Sequence, residues 1–147
     1  MIEILKKYED RLPPAVIHCF TGSAKNAKTY IDMGMYIGLT GFLWKDRSSN
    51  GVRHALKSGI IPLERLLLET DAPYMYPNIG DWRMPADVIE SFTTEAKELH
   101  KYASFARNEP CSLPVTCEMI SAFMGFTDPR KVAEITTGNA MRVYGLN

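Results

Sequence analysis

Residues 66–74, with the sequence LLLETDAPY, join a run of three leucines to a polar turn. The short leucine run is typical of a strand that is buried on both faces of a parallel sheet. Asp71 follows this strand and precedes Pro73, whose ring stiffens the turn. A carboxylate fixed at such a turn can bind a cation or act as a general base. An aspartate in a turn can equally accept hydrogen bonds from its own backbone.

Two further short strands are predicted upstream of this one. Residues 15–20 and 35–40 each contain a run of apolar, strand-forming residues, and helical patterns separate the three runs. Ser23 is a candidate N-cap and Gly34 a candidate terminator for the first of these helices, and Asn50 is a candidate N-cap for the second. This alternation predicts an α/β fold in which helices connect parallel strands.

The three predicted strands run into polar residues, namely His18, Thr40 and Asp71. The carboxyl ends of parallel strands lie at one edge of the sheet, and in (β/α)₈ barrels this face holds the active site. Three strands cannot close a barrel, and they leave unpaired edges. Either another chain completes the sheet, by self-association or as a partner, or the open edges are covered in some other way.

His18 and Glu69 are the other polar candidates near these strand ends. His18 precedes a turn into a helix, a position that suits metal or phosphate chemistry, although a buried histidine bonded to backbone fits the same pattern. Glu69 points to the same side of its strand as Asp71, so it could orient a metal ligand or pair with a lysine or arginine. Together His18 and Asp71 suit Zn²⁺, Mn²⁺ or Mg²⁺, but two ligands are too few for a catalytic site.

The second half of the chain is predicted to be helical. Apolar residues recur at helical spacing from about residue 86 to residue 101, and again over residues 113–124 after the candidate cap Ser112. A further helix begins near Pro129. We expect Gly138 to end it and Asn139 to cap a last short helix.

The composition is that of an ordinary globular chain, and we assign residues 1–147 to one domain. The formal net charge is zero and no dense Lys/Arg run occurs. If the substrate were DNA, a metal or another part of the protein would therefore have to attract it. The three cysteines do not form a disulfide framework, which favours a reducing cytoplasmic or nuclear location. No apolar run is long enough to predict a membrane span.

Five sequence motifs carry a resemblance to a known family. In chain order they are VIHCFTG (16–22), YIGLTG (36–41), LLETDAPY (67–74), RNEP (107–110) and TGNAMRVYG (137–145). Over about residues 14–147 the chain resembles the C-terminal part of the TatD-like metal-dependent hydrolases. The resemblance implies part of a (β/α)₈ barrel that binds one or two divalent metals. It further implies 3′-to-5′ exonucleolytic cleavage of DNA, in which metal-activated water attacks the phosphodiester.

The resemblance also implies roles for individual residues. His18 would be a metal ligand, and Asp71 a ligand and candidate catalytic base, with Mg²⁺, Mn²⁺ or Zn²⁺ as the metal and no other cofactor. Tyr74 and Arg107 are candidates for contact with single-stranded DNA or a 3′ end, although Tyr74 could instead pack on the barrel wall. Glu109 is expected only to hold the loop before the next helix.

The chain departs from the family pattern in three ways. The N-terminal His-x-His, the metal-bridging glutamate and a later strand-end histidine have no counterparts, and neither His54 nor His100 replaces them. About five barrel strands are missing. Residues 78–106 are also predicted to be an inserted helical segment. We therefore expect this chain to be weakly active or inactive alone; the alternatives are a non-catalytic part-barrel module and a hydrolase of small amides or esters.

Overall fold

The computed structural model describes residues 1–102 and 107–146, and these contain one parallel sheet of three strands. The strands are β1 (Val16–Ile17), β2 (Tyr36–Leu39) and β3 (Leu66–Leu68), with β2 in the centre. Val16 lies opposite Tyr36, and Gly38 lies opposite Leu67. The predicted α/β class and the parallel order are confirmed. Within the described residues, β1 and β3 each have a strand neighbour on one side only.

Seven α-helices accompany the sheet in the part of the chain that the structure describes. They are α1 (Ile2–Lys6), α2 (Ala24–Asp32), α3 (Val52–Lys57), α4 (Ala86–Ser91), α5 (Thr94–Tyr102), α6 (Leu113–Met124) and α7 (Pro129–Tyr144). Short 3₁₀ turns cover Glu9–Arg11, Gly41–Trp44, Leu63–Arg65 and Pro110–Ser112. No helix among residues 1–102 and 107–146 is both long enough and apolar enough to span a membrane.

Helix α2 forms as its sequence predicts. The Ser23 side chain accepts a hydrogen bond from the Asn26 amide at 3.3 Å, which satisfies one free donor of the first turn. Ala27 and Tyr30 are buried on its inner face. Gly34 adopts a φ of +77° after the helix, a conformation that few other residues adopt without strain. The chain can therefore turn directly from α2 into β2.

The expectation that Asn50 caps α3 is wrong. Gly51 is the N-cap, and the carboxylate of the buried Asp46 accepts hydrogen bonds from the amides of Ser48 at 3.0 Å and Arg53 at 2.8 Å. A Cβ on Gly51 would come within 2.3 Å of Asp46 Oδ1. The capping carboxylate thus comes from the preceding loop, and a glycine is needed to let it approach.

The apolar pattern from residue 86 to residue 101 forms two helices instead of one. Phe92 has extended backbone angles between α4 and α5, although its side chain is buried. Glu118 of α6 accepts hydrogen bonds from the Thr93 amide at 2.8 Å and from Thr93 Oγ1 at 2.6 Å. These two tertiary hydrogen bonds replace helical backbone bonding at the break. The assignment of residues 78–106 as an insertion stays a prediction, and residues 103–106 of it lie outside the described residues.

Helix α7 does not end at Gly138, so that prediction is also wrong. The helix runs unbroken from Pro129 to Tyr144, and Asn139 lies inside it. The buried Asn139 side chain donates hydrogen bonds to the carbonyl oxygens of Leu63 at 2.8 Å and Leu66 at 2.9 Å. Asn139 therefore ties α7 to the start of β3 and caps no helix.

Candidate active site

The carboxyl ends of β1 and β3 bring His18 and Asp71 together. His18 directly follows β1, and its Nε2 lies 3.7 Å from Oδ1 of Asp71. The His18 side chain is 67% exposed and the Asp71 side chain 27% exposed, so both can reach a ligand from solvent. The sheet thus places two candidate metal ligands side by side, at the edge where the sequence predicts a working face.

Glu69 holds the His18 ring from the other side. Its Oε2 accepts a hydrogen bond from the Cys19 amide at 2.8 Å and lies 2.8 Å from His18 Nδ1. When Nδ1–H donates a hydrogen bond to this carboxylate, the Nε2 lone pair is left free on the side of Asp71. Within the described residues the ion-pair partner of Glu69 is His18 and not a lysine or arginine.

Gly38 provides the space that Glu69 occupies. It lies in the middle of β2, where every residue is buried. A Cβ on Gly38 would come within 1.9 Å of Glu69 Oε1. Sequence reasoning missed this role, although a glycine inside an apolar strand is a known sign that another group approaches closely.

Backbone strain is concentrated around the same strand ends. Cys19, Asp71 and Met75 have positive φ values of 47°, 52° and 56°. A non-glycine residue in this region costs about 1–3 kcal/mol, so the surrounding contacts must hold it there. Strain of this kind is typical of functional sites. Here Asp71 belongs to the cluster of His18, Glu69 and Asp71, and Cys19 contacts both of its carboxylates.

The acidic surroundings change the proton affinities of two side chains. The hydrogen bond and charge of Glu69 raise the pKa of the His18 imidazole, against a smaller lowering by burial. Burial first, and the Asp71 carboxylate second, raise the pKa of the Cys19 thiol. In the chain without a metal, both effects favour the neutral thiol of Cys19.

His18 Nε2 and Asp71 Oδ1 fit part of a divalent-cation site. They combine one imidazole nitrogen with one carboxylate oxygen, and Glu69 orients the imidazole as a second carboxylate commonly does. Residues 1–102 and 107–146 hold no group of three or more His, Cys, Asp or Glu side chains able to bind a metal. His100 is not in this cluster, and its Nδ1 lies 3.0 Å from the Tyr76 hydroxyl.

Two clefts lie on either side of the turn that follows Asp71. One, of about 460 Å³, is lined by Asp71 and Tyr74 together with Trp44 and Lys45. Arg107 lies instead in the second cleft, of about 490 Å³. Tyr74 is 71% exposed. The two predicted substrate-contact residues are thus separated by the turn, and only Tyr74 shares a cleft with Asp71.

Asn108 holds this turn in place, and sequence reasoning did not identify it. Its buried side chain donates hydrogen bonds to the carbonyl oxygens of Thr70 at 2.7 Å and Tyr74 at 2.6 Å. Its Oδ1 accepts a hydrogen bond from Ser112 Oγ at 2.6 Å, so Ser112 stands at the N-cap position of α6 without a capping side-chain bond. Asn108 thus holds the loop, and the same role for Glu109 stays a prediction.

Glu69→Gln is expected to lower the pKa of His18. The substitution removes the negative charge that favours the imidazolium, while its amide keeps nearly the same shape. Titration of the imidazole protons by NMR measures the change, and Glu64→Gln, at an exposed site outside the cluster, is the control. An unchanged His18 pKa would show that Glu69 does not hold the ring.

The same pair has a consequence for stability against pH. A raised pKa in the folded state means that the ion pair stabilises the fold below the ordinary histidine pKa of about 6.5. That stabilisation is lost as the pH rises through the folded pKa. The difference in thermal midpoint between the native chain and Glu69→Gln should therefore be larger near pH 6 than near pH 8. Since His18 is 67% exposed, we expect a small effect.

Gly38→Ala is expected to destabilise the chain by about 1–3 kcal/mol and to lower the His18 pKa, because the new methyl group displaces Glu69. Urea unfolding and NMR titration measure the two effects. Gly138→Ala is the matched control, since a Cβ there meets no atom within 4 Å and the residue is helical. A Gly38→Ala chain as stable as Gly138→Ala would contradict the observed packing.

Comparison with known sequences supports a family relationship over nearly the whole chain. The family model described as TatD related DNase matches residues 1–145. A curated relative from Citrobacter rodentium, named 3′-5′ ssDNA/RNA exonuclease TatD, is 33% identical over 145 residues, which is 99% of this chain and 47% of the relative. The Salmonella typhimurium protein of the same name is 35% identical over 141 residues, covering 96% and 46%. The chain spans about half the length of these relatives.

Solved structures show the same fold. A TatD family hydrolase from Entamoeba histolytica superimposes with a TM-score of 0.71 at 22% identity, covering 96% of this chain and 45% of that one. A TatD homolog from Escherichia coli gives a TM-score of 0.69 at 20% identity, covering 99% and 46%. The three-stranded parallel sheet and its helices are thus consistent with part of a TIM-type barrel.

Proposed function

Since the chain belongs to the TatD related DNase family, we propose that it supplies one half of a metal-dependent site that cleaves single-stranded nucleic acid from the 3′ end. The observation that carries the proposal is the 3.7 Å approach of His18 Nε2 to Asp71 Oδ1 at the carboxyl ends of β1 and β3. The other half of the site would come from the barrel strands that full-length relatives possess. On this view, the chain alone is weakly active or inactive.

His18 and Asp71 would hold the divalent ion, with Mg²⁺, Mn²⁺ and Zn²⁺ as candidates. When bound, the ion would supply positive charge that polarises the phosphodiester and makes water a better nucleophile. Asp71 would also accept the proton of the attacking water, since its carboxylate is partly exposed beside the cleft. Glu69 would keep the His18 ring in the ligating orientation.

The two clefts suggest how a strand would lie across the turn. The exposed ring of Tyr74 offers a face on which a terminal base could stack, next to Asp71. Arg107 offers a guanidinium to a phosphate on the other side of the turn. Because Asn108 bonds the carbonyls of Thr70 and Tyr74, the turn can present both contacts in a fixed geometry.

The direction of cleavage can be tested on a joined protein. We define the joined protein as this chain preceded by the upstream half of the Salmonella typhimurium relative. With Mn²⁺ present, it should shorten a 5′-labelled single strand stepwise, and a phosphorothioate at the 3′ end should stop it. Release of the label as a mononucleotide at the outset would mean cleavage from the 5′ end and would overturn the proposed direction.

A second candidate function is a non-catalytic module that associates through its open sheet edges. An apolar hollow of about 310 Å³ lies beside β3, lined in part by Leu68, Leu113 and Cys117, and it favours burial against another chain. Sedimentation of the 147-residue chain distinguishes the two. A tight dimer without nuclease activity in the joined protein would support the module. A monomer would exclude self-association through this hollow.

A further inference from the structure

A row of alternating cations and indole rings extends away from the Asp71 cleft. Lys45 Nζ lies 5.0 Å from the centre of the Trp44 ring, and Arg83 Cζ lies 4.4 Å from that ring and 5.8 Å from the ring of Trp82. Arg47 Cζ lies 5.5 Å from the Trp82 ring. We call these five residues the tryptophan surface. Its first two members, Trp44 and Lys45, also line the cleft that contains Asp71.

The tryptophan surface is held in place by hydrogen bonds. Trp44 Nε1 donates to the Tyr76 carbonyl at 2.8 Å, which fixes the plane of the indole. Arg83 makes a two-point contact with Asp81, through Nε at 2.5 Å and Nη2 at 2.7 Å. The guanidinium is therefore oriented between the two indole rings before any ligand arrives.

Trp82 remains open to solvent despite these neighbours. The residue is 78% exposed, so the two guanidinium groups leave most of its surface uncovered. Burying a large indole stabilises a protein, and an exposed indole lacks this stabilisation. An oriented but uncovered ring is suited to stacking with a flat partner.

The charge of the tryptophan surface favours an anionic partner, although the chain as a whole has no net charge. Asp81 balances Arg83, and this contact lowers the pKa of the Asp81 carboxyl to about 2, so that it stays ionised. Asp46 is buried and bonded to backbone amides. Lys45 and Arg47 have no carboxylate partner in the ion pairs of residues 1–102 and 107–146.

We propose that the tryptophan surface binds single-stranded nucleic acid, with a base stacked on Trp82 and phosphates held by Lys45 and Arg47. Stacking requires the flat face of an unpaired base, which a duplex does not offer. The surface continues into the Asp71 cleft, so it would guide the remainder of the strand while its end lies near Asp71. This guiding role rests on the proposed function, whereas binding itself does not depend on cleavage.

Tryptophan fluorescence of the 147-residue chain tests the proposal, because Trp44 and Trp82 are its two tryptophans. Oligothymidylate or oligouridylate of about a dozen nucleotides is added with a chelator present, so that no metal site takes part. We expect quenching that saturates and that weakens with salt. Trp82→Ala should reduce affinity roughly tenfold and Trp82→Phe less, since phenylalanine retains a stacking face. Arg47→Gln should reduce both affinity and the salt dependence.

The chain supplies a matched control at its N-terminus. Arg11 Cζ also lies 5.5 Å above an exposed aromatic ring, that of Tyr8, but this pair is not part of the Asp71 cleft. Tyr8→Ala and Arg11→Gln should leave binding unchanged, as read by Trp fluorescence. If nucleic acid were attracted to any exposed cation and aromatic ring, both sets of variants would lower the affinity equally. That result would overturn the proposal.

Two further outcomes would also overturn it. One is the absence of saturable binding to either oligonucleotide. The other is tighter binding of polyglutamate than of oligothymidylate, which would mean that the surface recognises an acidic peptide. If binding by the chain depended on Trp82 but the joined protein cleaved nothing, this inference would be upheld and the proposed nuclease function rejected. If the chain alone did not bind, and the joined protein cleaved equally well with and without Trp82→Ala, the nuclease function would be upheld and this inference rejected.

Discussion

Asp71→Asn in the joined protein is expected to lower the rate of single-strand cleavage by roughly a thousandfold or more. Under the proposed mechanism the substitution would remove a charged metal ligand and a proton acceptor in one step, and general base catalysis alone contributes about 10²–10⁴-fold. Asparagine keeps the shape of the side chain and tolerates the φ of +52° at this position. Stepwise shortening of a labelled strand, followed over time with Mn²⁺, measures the loss.

The control for this prediction is another aspartate of the same chain. Asp32 is exposed on α2 and pairs with Lys28, so Asp32→Asn should leave cleavage unchanged. Circular dichroism and urea unfolding of both variants verify that the fold is retained. If Asp71→Asn kept its rate within a factor of about ten, Asp71 would be neither the base nor an essential ligand.

Asn139→Ala is expected to reduce the free energy of unfolding by about 2–4 kcal/mol. The substitution removes two hydrogen bonds from a fully enclosed amide and leaves the carbonyl oxygens of Leu63 and Leu66 without these donors. Asn139→Asp should be similarly harmful, because a carboxylate cannot donate to a carbonyl. The urea midpoint of unfolding measures both effects.

Asn26→Ala is the comparison for Asn139→Ala. Asn26 is exposed on α2, where its backbone amide and not its side chain bonds to Ser23. We expect a change within about 0.5 kcal/mol. Equal effects at the two positions would mean that Asn139 does not tie α7 to the sheet.

The sequence was sufficient to predict the elements that position the site. Apolar runs located β1, β2 and β3, and the polar residues after them gave His18 and Asp71. These predictions succeed because the period of apolar residues and the position of a strand end are local properties. Their roles as metal ligands remain predictions.

Other features depend on contacts that are distant in sequence. Gly138 resembled a helix end, yet α7 continues because Asn139 finds its acceptors 76 and 73 residues earlier in the chain. The break at Phe92 depends on Glu118, and the space at Gly38 depends on Glu69. Local propensity cannot identify such partners, since tertiary contacts override it.

Asn108 illustrates the same limit within the site. Its neighbours in the RNEP motif are charged, and this favours a role on the surface for the whole segment. In the structure Asn108 is buried and bonds the backbone around the Asp71 turn. An amide that satisfies carbonyls 34 and 38 residues away can be recognised only once the two segments have been placed together.

The most direct test of the half-site proposal is the digestion of labelled single-stranded DNA with Mn²⁺ by the 147-residue chain and by the joined protein at equal concentration. We expect stepwise cleavage by the joined protein, with little or none by the chain alone. Equal rates from the two proteins would contradict the account, because His18 and Asp71 would then belong to a site that the chain completes without the upstream half.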